Sequence, residues 1–127
     1  MSARPSITVA AVIERGGKFL LVEEEDDGRM LFNQPAGHLE QDESLVAACA
    51  REVLEESAWH FQPSQLIGIY RWRKPGLVPE AGVTYVRFAF CGELGEHEPE
   101  RKLDAGIVSL GGELPRVAEQ VVERDPD

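Results

Sequence analysis

The sequence predicts an α/β domain, more narrowly α+β, in which a mixed β-sheet is sandwiched between helices. Three observations predict it. Short β-rich runs lie on both sides of one strongly helical stretch, glycine and proline clusters separate them, and 127 residues suffice for one core. Residues 1–127 read as a single domain without repeat or linker. At 43% hydrophobic and 28% charged residues, the composition is that of a folded globular chain rather than a disordered one.

The elements follow in order. ITVAAVIE and KFLLVEEE flank Arg15-Gly16-Gly17-Lys18, and paired glycines at a tip suit a tight turn with positive φ, so this is a β-hairpin. Asp26-Asp27-Gly28 is a second turn, and MLFNQPAGHLE is a short strand broken at Pro35 and Gly37. A helix is expected from about Glu43 to Ser57, with Asp42 as its N-cap. QLIGIYRW is a strand, RKPGLVPEAG a loop, and VTYVRFAFCGEL a long strand with Val86, Phe88 and Phe90 on one face. Beyond the apolar run Ile107 to Leu110, the segment from Glu113 to Arg124 has weak helical periodicity.

The net charge of −10 repels phosphate backbones, so no nucleic-acid partner is expected. The same charge implies that phosphate chemistry here needs a bound cation, a basic loop, or both. Cys49 and Cys91 form no CxxC or Cys/His spacing with the scattered His38, His60 and His97, which argues against zinc. No apolar stretch is long enough to span a bilayer, and ERGGKFLLVEEE offers no convincing cleavage site after the first one. The expectation is a cytoplasmic protein with no membrane partner, monomeric or homodimeric.

At about 100° per residue, Val46, Cys49, Ala50, Val53 and Leu54 form one apolar arc, which marks Cys49 as core. Glu52, Glu55 and Glu56 fall on a separate arc flanked by Arg51, with the small Ala48 one turn earlier. Like charges at this spacing repel by about 0.2–0.5 kcal/mol per pair on a helix surface, a penalty that a divalent cation would remove. Magnesium suits such oxygen ligands together with substrate phosphates. Taken alone, EVLEE reads more readily as a solvated acidic face than as a metal site.

The flanking residues go further. Gly37 is followed after five residues by Glu43, after seven more by Arg51-Glu52, and then by Glu55-Glu56. This resembles the signature box of the Nudix hydrolase superfamily and matches all its ionisable positions. The resemblance implies the Nudix fold and hydrolysis of phosphoric anhydride bonds with Mg²⁺, or Mn²⁺. It implies Glu52, Glu55 and Glu56 as metal ligands, joined by the backbone carbonyl of Gly37. Glu52 would also activate or orient the attacking water, Arg51 would orient Glu52, and Glu43 would support the loop-to-helix geometry. One position departs: the family has glycine where this chain has Ala58. Glycine there ends the helix in a left-handed conformation, which costs alanine roughly 1–2 kcal/mol.

NQPAGHLE, with His38 replacing a more usual glycine, is similar to a subgroup of bacterial phosphatases. That likeness implies nucleoside di- and triphosphates, or a thiamine-precursor pyrophosphate, as substrates, with release of orthophosphate. Alternatives are an ADP-ribose or nucleotide-sugar pyrophosphatase and a non-catalytic nucleotide sensor. The likeness fails beyond Val108. For substrate contacts the candidates are Trp72 with Arg71, a basic-aromatic group suited to a base and its phosphates, then Arg87 and Gln34. An ordinary loop tryptophan and a solvent-facing Arg87 are the plainer readings. His38, near the phosphates or structural, and His97, Glu98 and Glu100, as a distal ligand or base or as a solvated charge run, stay open.

Overall fold

A computed structural model describes residues 4–26, 28–103 and 107–115. In chain order the elements are β1 (Ser6–Ala11), β2 (Glu14–Arg15), β3 (Lys18–Asp26), β4 (Arg29–Asn33), β5 (Ala36–His38), α1 (Leu45–Ser57), β6 (Trp59–Lys74), β7 (Val83–His97) and β8 (Ile107–Pro115). The α+β class and the mixed sheet agree with expectation.

The mixed sheet has the order β5-β1-β7-β6. Its central pair is parallel, running from Ser6 opposite Tyr85 to Ala11 opposite Phe90. β5 joins antiparallel on one side, with Thr8 opposite His38 and Val9 opposite Gly37. On the other side β6 and β7 form a long antiparallel hairpin. The second sheet is built on β3. Its tip glycines Gly16 and Gly17 have φ 63° and 81°, the left-handed turn conformation that paired glycines suggested. β8 runs along β3 from Lys18 to Glu24, while β2 and β4 pair with opposite ends of β3.

Alternation within β1 decides the packing of α1. Val9 and Ala11 face the helix, where they form one buried cluster with Ala48, Cys49, Val53, Phe61 and Phe90, joined by Ile13 and Leu20. Cys49 is core, as expected: its thiol donates to Ala10 O at 3.5 Å, and burial pushes its pKa up to about 12.

Several boundaries differ from expectation. The helix begins at Leu45, and its N-cap is Ser44, whose hydroxyl accepts from Ala47 N at 3.0 Å. Asp42 instead sits at φ 65°, a conformation that a short polar residue tolerates. Keeping Glu43 outside the helix leaves its carboxylate available to Arg51. Gly37 lies within β5 rather than breaking a strand, and the break falls at Gln34 and Pro35. Residues Glu113–Pro115, read as the start of a helix, complete β8. The remainder of that expected helix lies outside the described residues, so α1 is the α-helix among them.

The helix ends where the family would place glycine. Ala58 adopts φ 65°, ψ 16°, and its N–H donates to Leu54 O. Its carbonyl accepts from Glu98 N at 2.8 Å, which ties the strained residue into the fold. Ala58→Gly should relieve the left-handed penalty of about 1–2 kcal/mol while losing part of that gain to unfolded-chain entropy. The expected result is a Tm rise of roughly 2–4 °C in thermal denaturation. A fall in Tm would show that the alanine methyl contributes more by packing than its conformation costs.

Candidate active site

β5 and α1 build the site between them. The Cβ that any other residue would add at Gly37 falls 2.1 Å from Glu52 Cδ, so glycine is what lets β5 lie against this carboxyl. One residue earlier, Ala36 N donates to Glu56 Oε1 at 3.0 Å. Glu52 and Glu56, one helical turn apart, are each only 8% exposed, and their side chains lie within hydrogen-bonding reach of one another.

Arg51 organises the remaining carboxylates. Its Nε and Nη2 donate to the two oxygens of Glu43 at 2.6 and 3.0 Å, a bidentate pair. Nη1 donates to Glu52 Oε2 at 2.9 Å and to Glu55 Oε1 at 3.1 Å. Nη2 also reaches His38 O at 3.0 Å, so the guanidinium fastens α1 to the end of β5. Glu43 is therefore an anchor for Arg51, whose guanidinium holds its carboxyl below the usual range.

The charge balance is uneven. One guanidinium faces Glu40, Glu43, Glu52 and Glu55, while Glu56 has a backbone N–H and the nearby charges of Glu52 and Glu24. Burial, and then those two neighbours, push the Glu56 carboxyl up to about 9 from its ordinary 4.5. The folded chain thus holds a proton that the unfolded chain releases, so this contribution to stability is full below pH 4.5 and is lost as pH rises through about 9. In EDTA the Tm should fall between pH 5 and pH 9, and excess Mg²⁺ should recover it at pH 8.5 but not at pH 5. A Tm in EDTA that is flat or rising over that range would contradict the assignment.

Among the described residues, no three His, Cys, Asp or Glu side chains already converge as a closed metal site. Arg51 draws Glu52 and Glu55 to itself, and Ala36 N draws Glu56. The donor chemistry nevertheless fits a hard divalent cation. Every donor is an oxygen, and a buried pair of carboxyls lacks enough positive charge to ionise fully.

The other candidates separate into groups. Trp72 stacks on Tyr85 with ring centroids 5.0 Å apart, and Arg87 Cζ lies 5.3 Å from the Trp72 centroid. Arg71 is exposed and alternates to the opposite face of β6. Gln34 is buried, with its Oε1 lacking a hydrogen-bond partner. His97 stacks on Trp59, and Glu98 pairs with His60 and Arg101. Sequence reasoning missed Tyr85 and Glu24. Tyr85 was findable, because it alternates with Val86 and Phe88 on the same face as Arg87.

A model of the NUDIX domain matches residues 3–116. The chain belongs to the Nudix family. The phosphatase NudJ of Escherichia coli K12 is 44% identical over 104 residues, covering 82% of this chain and 65% of NudJ, and NudJ of Shigella flexneri matches to the same extent. The chain thus aligns with 65% of the length of these curated relatives. A NUDIX hydrolase from Nitrosomonas europaea superposes with a TM-score of 0.81 at 45% identity, covering 97% of this Nudix chain and 82% of that one. A MutT protein from Methanosarcina mazei, at 24% identity and TM-score 0.65, shares the fold. Among the described residues, no helix is long and apolar enough to cross a membrane.

Proposed function

We propose that this Nudix domain is a divalent-metal-dependent hydrolase of phosphoric anhydride bonds. Its substrates would be nucleoside di- and triphosphates or a thiamine-precursor pyrophosphate, with orthophosphate as product. The observation that carries the reading is the buried Glu52–Glu56 pair, held against Gly37 and steered by Arg51. The NudJ likeness supports the phosphatase assignment.

Glu52, Glu55 and Glu56, with the carbonyl of Gly37, would hold Mg²⁺ or Mn²⁺. When bound, the cation would offset the charge of the diphosphate, polarise its oxygens and make water a stronger nucleophile. Everything else falls to the chain. Glu52 is the group positioned to take or orient a proton of the attacking water, because Arg51 fixes one of its oxygens at 2.9 Å. Arg51 is itself fixed by the Glu43 fork and the His38 carbonyl, so Glu52 is aimed before substrate arrives. Glu55 is the more exposed carboxylate, and could exchange its bond to Arg51 for a cation at small cost.

A substrate panel in Mg²⁺ tests this, assayed for phosphate with and without an added phosphatase. Direct phosphate release from a nucleoside di- or triphosphate or from the thiamine-precursor pyrophosphate is the expected result. Turnover of ADP-ribose alone, detectable only after phosphatase, would replace the reading with a pyrophosphatase. Tight nucleotide binding with no product over hours would replace it with a sensor.

A further inference from the structure

β3 brings to the carboxylate site a group from outside the motif helix. Glu24 lies in the middle strand of the second sheet, paired with Leu31 of β4 and Ile107 of β8. With a neighbour on each side, its side chain must leave through a sheet face. The β3–β4 ladder is unbroken from Val22 to Asp26, and the register shifts against β8 fall at Gly111 and Val108, on β8 itself. Alternation along β3 therefore holds, and Leu20, Val22 and Glu24 share one face. Leu20 packs in the cluster that contains Val53 of α1, Val22 is fully buried, and half-buried Glu24 extends the row.

A short crossing of chain joins that row to the motif helix. Asn33 is paired with Val22, and Ala36 gives its N–H to Glu56 Oε1 at 3.0 Å. Glu24, the next inward residue after Val22, lies close enough for its charge to act on the Glu56 carboxyl. Between Asn33 and Ala36 sits Gln34, only 5% exposed, whose Oε1 has no hydrogen-bond partner. A native fold leaves few buried acceptors unmatched, and an amide oxygen beside carboxylates is matched well by a hard cation. Arg51 is not that cation. Its N–H groups are all engaged with Glu43, Glu52, Glu55 and the His38 carbonyl, and none goes to Glu56.

We propose that Glu24 and Gln34 Oε1, together with Glu56, form a second position for a divalent cation, built from β3 and the β4–β5 crossing. Its donors are two carboxylates and an amide oxygen, a set that Mg²⁺ or Mn²⁺ accepts with water completing the shell. Glu55, which Arg51 holds at 3.1 Å, belongs to the first position. In a chain of net charge −10, a second cation brings positive charge that a diphosphate needs and that the engaged Arg51 does not offer. The inference shares Glu56 with the hydrolase reading and otherwise stands on β3 and Gln34.

The test is Mn²⁺ binding to the full chain without substrate, followed by loss of the free-ion signal in electron paramagnetic resonance. The wild-type chain should bind two Mn²⁺. Glu24→Gln should weaken one of them by about tenfold or more and leave the other within about twofold. Glu24→Asp should weaken the same ion nearly as much, because it keeps the charge but withdraws the oxygens. Gln34→Leu should weaken that ion by about threefold, while Tm in EDTA holds or rises because an unpartnered buried acceptor is gone. Glu25→Gln, on the opposite face of β3, controls for charge alone and should change neither ion. A single Mn²⁺ in the wild-type chain, equal weakening by Glu24→Gln and Glu25→Gln, or wild-type affinities in Glu24→Gln or Gln34→Leu would overturn the proposal. The measurement needs no turnover. A chain that binds two Mn²⁺ in this way and hydrolyses nothing keeps the second position, and only the hydrolase reading fails.

Discussion

Glu52→Gln should lower kcat by about 10³-fold or more while making the metal-free protein more stable. The two effects have one cause. Glu52 is buried beside Glu56, and its charge both opposes ionisation of that neighbour and provides the acceptor that Arg51 aims. Glutamine keeps the shape and can still hydrogen-bond, but carries no charge, so repulsion and basicity vanish together. Steady-state kinetics in Mg²⁺ and thermal melts in EDTA read the two halves separately. Undiminished turnover would remove Glu52 from the chemistry, and a lowered metal-free Tm would show that its charge is well compensated in the fold.

Gly37→Ala should reduce kcat/KM by about 10²-fold with little change in fold, because it displaces the carboxylate rather than the backbone. The new methyl would fall 2.1 to 2.3 Å from the Glu52 carboxyl atoms and must expel them. That group is the end of a flexible side chain, so expelling it is cheap structurally. It is costly functionally, because Glu52 leaves the position that Arg51 and β5 define. The signature is lost activity with native circular dichroism and a Tm within about 3 °C of wild type. Wild-type kcat/KM in this variant would mean that Glu52 works from another position.

These two residues also show why the candidate site was legible in the sequence. Glu52, Glu55, Glu56 and Arg51 lie within two helical turns, where the period alone sets their neighbours. Gly37 and Glu43 enter through fixed spacing in the family motif. The N-cap was misplaced because Asp42 and Ser44 are both competent caps by residue type. Tertiary demand decided between them: Arg51 needs Glu43 outside the helix. The strand β8 was only half visible, because Gly111 and Gly112 have weak β propensity; Gly112 takes its place by pairing with Leu21 of β3, and Gly111 falls at the register shift beside it. Arg71 and Trp72 looked like one basic-aromatic group in sequence, and strand alternation divided them between two faces.

The proposed activity is hydrolysis of phosphoric anhydrides at the carboxylate cluster, with a divalent cation required. Phosphorus NMR of a nucleoside diphosphate incubated with the protein tests that most directly, with Mg²⁺ in one sample and excess EDTA in the other. The expected result is growth of an orthophosphate resonance in Mg²⁺ and none in EDTA. Equal product in both samples, or no product with either Mg²⁺ or Mn²⁺, would contradict it.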